Sequence, residues 1–92
     1  MNNFMRVQKQ LPIFSEQAEK YLKSLDKKPR ERLRSAVAKI PKGDIVPYKA
    51  MAGYYRLRVG DYRILFEWVS DEQIIVALVE TRDRIYKKGA RR

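Results

Sequence analysis

The sequence predicts an α+β fold: an N-terminal strand, a two-helix hairpin, then a three-stranded antiparallel meander, with the helices packed on one sheet face. Three observations carry this reading. Gly60-Asp61 sits between two alternating runs, and residues 74–79, Ile-Ile-Val-Ala-Leu-Val, form an unbroken apolar run. Between residues 15 and 40 the apolar side chains recur at helical spacing, interrupted near Asp26 and Pro29.

Each element has a local reason. Phe4–Leu11 reads as the first strand, ended by Pro12. Ser15 is the expected N-cap of the first helix, with Glu16 in a first turn where the helix dipole favours an anion. Ala18, Tyr21, Leu22 and Leu25 form its apolar stripe, and Asp26–Lys28 form a short connection. Pro29 suits the first turn of the second helix, whose stripe is Leu33, Ala36, Val37 and Ile40 and which Pro41 and Gly43 close. Tyr54–Val59 and Tyr62–Val69 are the hairpin strands, with Gly60 at the first central position of a type II′ turn. Ser70-Asp71-Glu72 turns the chain into Gln73–Thr81, which reads as a central strand covered on both faces.

That hairpin sorts its side chains. With Gly60-Asp61 as the loop, Val59 faces Tyr62, Leu57 faces Ile64 and Tyr55 faces Phe66. Tyr55, Tyr62, Phe66 and Trp68 therefore belong to the core. The other face carries Arg58 opposite Arg63, with Arg56 one step further out. Like charges directly across a strand pair are destabilising. Such a face suits a polyanion.

Composition narrows the function. Ninety-two residues with 45% hydrophobic content suffice for a single domain, 1–92, whose residues 82–92 form a basic tail. Lys and Arg number 21 against 11 acidic residues, a net charge of +10 that points to nucleic acid, an anionic membrane or an acidic protein. No apolar run approaches the roughly 18 residues of a membrane span, and the N-terminus lacks a signal-peptide core. The expectation is a soluble, cytoplasmic protein. There is no histidine and no cysteine. An imidazole base, a thiol nucleophile and a zinc site built on either are thus absent. The acidic residues form no cluster suited to magnesium, so the expected chemistry needs no metal and no cofactor.

The order β-α-α-β-β-β, the segment Tyr-Tyr-Arg-Leu-Arg-Val-Gly-Asp-Tyr-Arg (54–63) and the later Thr-Arg-Asp-Arg-Ile-Tyr (81–86) resemble the RelE/ParE toxin superfamily of toxin–antitoxin pairs. The resemblance runs from the N-terminal strand to Tyr86. It implies a RelE-like fold and a cognate antitoxin. RelE-type members are ribosome-dependent endoribonucleases that cut messenger RNA in the decoding site; ParE-type members share the fold and act on DNA gyrase. Carried over to this chain, the resemblance assigns Arg56 and Arg58 to the two basic positions before the hairpin turn and Arg63 to the arginine after Gly-x-Tyr. Arg82 matches the arginine that opens the segment after the last strand, and Tyr86 the tyrosine following an aliphatic residue. Lys49, Arg84, Lys87 and Lys88 are the flanking RNA-binding candidates.

The implied chemistry is attack of the 2′-hydroxyl on the adjacent phosphorus. Guanidinium groups fork onto phosphate oxygens and keep their charge, so Arg58, Arg63 and Arg82 would hold the phosphate, with Arg56 assisting. Tyr86 would stack on a base or take part in proton transfer. RelE-type members can offer lysine at the two strand positions, where this chain has arginine. An arginine with a pKa above about 12 makes a poor general base. Tyr86, Lys49, Lys87, Lys88, water and a ribosomal group remain open for that role. Two other readings stand beside this one: a ParE-like toxin that binds gyrase without cleaving RNA, and a basic RNA- or ribosome-binding domain without catalysis.

Overall fold

The computed structural model describes residues 12–70 and 73–81. Within them the order is β1 (Ile13–Phe14), α1 (Glu16–Ser24), α2 (Lys27–Ala38), β2 (Asp44–Pro47), β3 (Tyr54–Val59), β4 (Tyr62–Ser70) and β5 (Gln73–Thr81). These strands form one five-stranded sheet in the order β1-β5-β4-β3-β2. β1 pairs parallel with β5, and every other pairing is antiparallel. The expected strand at Phe4–Leu11 lies outside the described residues.

α1 begins where the sequence places it. Ser15 has extended backbone, and its Oγ accepts the Ala18 N–H at 3.1 Å. The same hydroxyl donates to the Ala77 carbonyl at 2.7 Å, and the Ser15 N–H bonds Val76 O at 2.8 Å. One residue pair further along β5, the Gln17 amide accepts from Val79 N at 3.2 Å and donates to Val79 O at 3.3 Å. After only two residues of β1, side chains of the first helical turn continue the pairing that a strand would have made.

The connection between the helices is shorter than the sequence suggested. The Leu25 N–H closes α1 on Leu22 O, Asp26 is already the N-cap of α2, and Lys27 and Lys28 are helical. Pro29 therefore sits within the first turn, where its missing N–H costs nothing. α2 ends at Ala38 rather than Ile40, with Lys39 and Ile40 held in tightening turns onto Ala36 O and Val37 O.

The hairpin register is as read: Val59 faces Tyr62, Arg58 faces Arg63, Leu57 faces Ile64 and Tyr55 faces Phe66. Gly60 has φ +60°, and no residue other than glycine has positive φ among those described. That distinguishes a type II′ turn from type I′, which needs positive φ at both central positions.

Two features depart from expectation. β2 adds a strand to the meander, antiparallel to β3 with Asp44 opposite Arg58 and Pro47 opposite Tyr55. Pro47 is tolerated because β2 is an edge strand. β5, in turn, is not central. It lies between β4 and the two-residue β1, with Ile74, Val76 and Val79 buried against the helices and Ile75 and Leu78 only half-buried on the other face. The β4–β5 register shifts twice, leaving Val69 unpaired on β4 and Ala77 unpaired on β5.

The core lies between the helices and one sheet face. Ala18 and Leu22 of α1 and Leu33 and Val37 of α2 meet Leu57, Ile64, Phe66, Val76 and Val79. Phe66 is fully buried, stacks on Tyr55 at 5.8 Å between ring centroids and tilts against Trp68 at 5.6 Å. Burying such a ring contributes about 2–3 kcal/mol. Tyr21 meets Tyr62 edge to face at 6.5 Å, tying α1 to the hairpin beside its turn.

Candidate functional site

The face of the sheet turned away from the helices carries the arginines, because β3 alternates Tyr55, Leu57 and Val59 inward with Arg56 and Arg58 outward. Cross-strand registers align a row of four charges on that face: Asp44 on β2, Arg58 on β3, Arg63 on β4 and Glu80 on β5. The two adjacent arginines that the sequence flagged as repulsive are flanked on each side by a carboxylate. The next row is Val46, Arg56, Leu65 and Leu78, so Arg56 rises among aliphatic neighbours.

The three arginines differ sharply in setting. Arg58 has 54% of its side chain exposed, and its Nε lies 2.7 Å from Asp44 Oδ2. Arg56 is 18% exposed and donates from Nη2 to Asp44 Oδ1 at 3.3 Å, while its buried Nε has no hydrogen-bond partner among the described residues. One carboxylate thus holds two guanidinium groups, one on each oxygen. Arg63 is buried, 5% exposed, and its Nη1 donates to both Gly60 O and Tyr62 O at 2.9 Å. It braces the hairpin turn from beneath. Its neighbour across β5, Glu80, is buried to the same degree at 4%.

Arg56, Arg58 and Arg63 therefore stand together as the sequence predicted. Lys49 is exposed on the loop after β2, at the Tyr54 end of β3, where it is nearer along the strand to Arg56 than to Arg58. Arg82, Arg84, Tyr86, Lys87 and Lys88 lie outside the described residues. Alongside β3, on the helix side, an open groove of about 320 Å³ has Leu57 and Val59 in its floor and Arg32, Lys39 and Lys42 on its rim, with Arg58 lining its border. Among the described residues none of those three rim cations is ion-paired. No set of three His, Cys, Asp or Glu side chains among the described residues is placed to hold a metal.

Sequence reasoning missed Asp44 and Glu80. Asp44 gave no signal, because β2 was not recognised as a strand. Glu80 had one. Counting back from the Ser70–Gln73 pair at the β4–β5 turn puts it opposite Arg63, since the extra residues Val69 and Ala77 fall on opposite strands and cancel.

This arrangement has relatives. The family model described as the ParE toxin of the type II toxin–antitoxin system parDE matches residues 13–86. The chain belongs to this toxin family, within the RelE/ParE superfamily. Among solved structures, the toxin resembles a chain of the RelB–RelE antitoxin–toxin complex from Methanococcus jannaschii, with 31% identity, a TM-score of 0.66, and 83% of this chain and 96% of that one covered. It also shares its fold with a chain of the RelBE2 toxin–antitoxin complex from Mycobacterium tuberculosis, at 21% identity and a TM-score of 0.52, covering 79% of this chain and 98% of that one. No curated protein sequence matches it significantly. As a type II toxin, the protein has an α+β fold with both helices against one sheet face, and no helix among its described residues is long and apolar enough to cross a membrane.

Proposed function

We propose that this toxin is of the RelE type: a ribosome-dependent endoribonuclease that cleaves messenger RNA in the decoding site, needs no metal, and is neutralised by a cognate antitoxin that masks its basic face. The observation that carries the reading is Arg58. It is more than half exposed, it adjoins Arg56 and Arg63, and neither of its Nη nitrogens is engaged among the described residues. A guanidinium fork presented in this way suits two oxygens of one phosphate. The likeness to the M. jannaschii RelB–RelE complex, 31% identical, supports the same branch and the antitoxin partner.

In the reaction, the 2′-oxygen attacks phosphorus and the bond to the 5′-oxygen breaks, giving a 2′,3′-cyclic phosphate and a 5′-hydroxyl. One proton leaves the 2′-oxygen for a base, and one is delivered to the 5′-oxygen. Arg58 with Arg82 stabilises charge on the equatorial oxygens, and Arg56 adds field from the same face. Arg63 keeps the turn, and hence Arg58, in place. Tyr86 stacks on the base beside the scissile step. The base is drawn from Tyr86, Lys49, Lys87, Lys88, water or a ribosomal group, because an arginine pair does not deprotonate a hydroxyl at neutral pH.

The test is translation of a reporter message with purified toxin, mapping new 3′ ends for wild type, Arg58→Ala and Arg82→Ala. Cleavage confined to ribosome-bound message and lost in both variants supports the proposal. The match to the ParE model favours a second reading, a non-nucleolytic toxin that blocks DNA gyrase. An intact message beside inhibited supercoiling selects that one.

A further inference from the structure

We propose that Asp44 is a positioning residue for the arginine face, fixing Arg58 and Arg56 so that the terminal nitrogens of Arg58 are ready for a phosphate. The inference rests on the ribonuclease reading and deepens it. Asp44 sits directly across from Arg58 in the β2–β3 register. Its Oδ2 meets Arg58 at Nε, 2.7 Å away, and its Oδ1 meets Arg56 at Nη2, 3.3 Å away. Contact through Nε is informative. It restrains the guanidinium at its root and leaves both Nη nitrogens, the pair that matches phosphate oxygens bidentately, without a partner among the described residues.

Stability alone does not account for this carboxylate. The side chains of Asp44 and Arg58 are 43% and 54% exposed, a setting in which ion pairs contribute little. For a protein whose ligand is a polyanion, a negative charge on the binding face also works against long-range attraction. What Asp44 does supply is order. A free arginine side chain samples many rotamers, and a reaction that needs a guanidinium within a fraction of an ångström is sensitive to that sampling. The support beneath Asp44 is itself rigid. Its backbone is paired to β3, and the preceding Gly43 has φ +127° with its missing Cβ falling 2.9 Å from Leu57 Cδ1, so the chain enters β2 through a contact only glycine fits.

Three measurements on the purified toxin, for wild type, Asp44→Ala and Asp44→Asn, test the proposal. The first is the Arg58 side-chain 15Nε–Hε signal, assigned by its loss in Arg58→Ala. It is expected to exchange slowly with water in wild type and to broaden or vanish in Asp44→Ala. The second is affinity for a fluorescein-labelled, 2′-O-methylated RNA oligonucleotide, expected to be unchanged or tighter in Asp44→Ala. The third is single-turnover cleavage of ribosome-bound message, expected to slow about tenfold in Asp44→Ala and less in Asp44→Asn, which keeps one acceptor oxygen. Faster cleavage with tighter binding means that Asp44 blocks the site, and overturns the proposal. Equal losses in binding and cleavage together with a lowered melting temperature mean a structural role, and overturn it too. A wild type that cleaves nothing refutes the ribonuclease reading; the Arg58 signal then still decides whether Asp44 orders the arginine.

Discussion

Arg63 and Glu80 face each other across β4 and β5, and both are at least nine-tenths buried on the sheet face that carries the candidate site. Arg63 is the residue on which the sequence and the structure put different emphasis. Family resemblance makes it a phosphate ligand, whereas its bonds to Gly60 O and Tyr62 O make it a brace for the hairpin turn. Removing it leaves the Gly60 and Tyr62 carbonyls without their donor.

Arg63→Ala is accordingly expected to destabilise the fold by about 3 kcal/mol through its two charge-assisted bonds to the turn, read as a loss of more than about 10 °C in thermal unfolding. Loss of toxicity in this variant should be scored against the folded fraction before it is ascribed to chemistry.

Arg58→Ala is expected to behave in the opposite way. Its side chain is more than half exposed and its one ion pair is a surface contact, so the melting temperature should move by no more than about 3 °C, equivalent to about 0.5 kcal/mol. Message cleavage, by contrast, should fall about a hundredfold, as for loss of one fixed charge-stabilising donor. Circular dichroism melts alongside single-turnover cleavage check both halves.

The groove rim gives a prediction independent of catalysis. Lys39 and Lys42 have no ion partners among the described residues and border a groove that reaches Arg58. The double variant Lys39→Ala/Lys42→Ala should weaken RNA binding by a similar factor for every sequence and lower the slope of log affinity against log salt by about 1. Fluorescence anisotropy titrations across a salt series measure this.

Ser15→Ala removes two bonds at once, the cap on Ala18 N and the contact to Ala77 O. A loss of about 1–2 kcal/mol is expected in urea unfolding, with an unchanged m-value. Hydrogen exchange should rise first along residues 76–79 of β5.

Legibility followed the length of each signal. The hairpin was readable to the residue, because eight side chains, Tyr55–Val59 and Tyr62–Ile64, alternate without error around a glycine whose turn type has one solution. α1 was readable from Ser15 for the same reason: a cap, an anion in the first turn and a stripe agree. β2 was not readable. Four residues ending in proline, only two of them aliphatic, carry no periodicity of their own; they become a strand because Leu57 and Arg58 stand ready to pair with Ile45 and Asp44. The site shared that fate. Arg56 and Arg58 are placed by local alternation, whereas Asp44 enters through a pairing partner 14 positions along the chain, Arg58, and Glu80 through a register crossing two irregularities. The difference in exposure between Arg58 and Arg63 has no trace in sequence at all. It depends on what covers each side chain.

The side chains of Ser15 and Gln17 also bear on how copies of this protein meet one another. Along β5, past the two residues of β1, they occupy the carbonyls of Ala77 and Val79 and the amide of Val79, closing that stretch to an incoming chain. The opposite margin, β2, stays open, with Val46 exposed on it and Pro47 cutting short the length that can zip. Backbone pairing between copies along that stretch of β5 is thus excluded, and at β2 it is limited to the residues before Pro47.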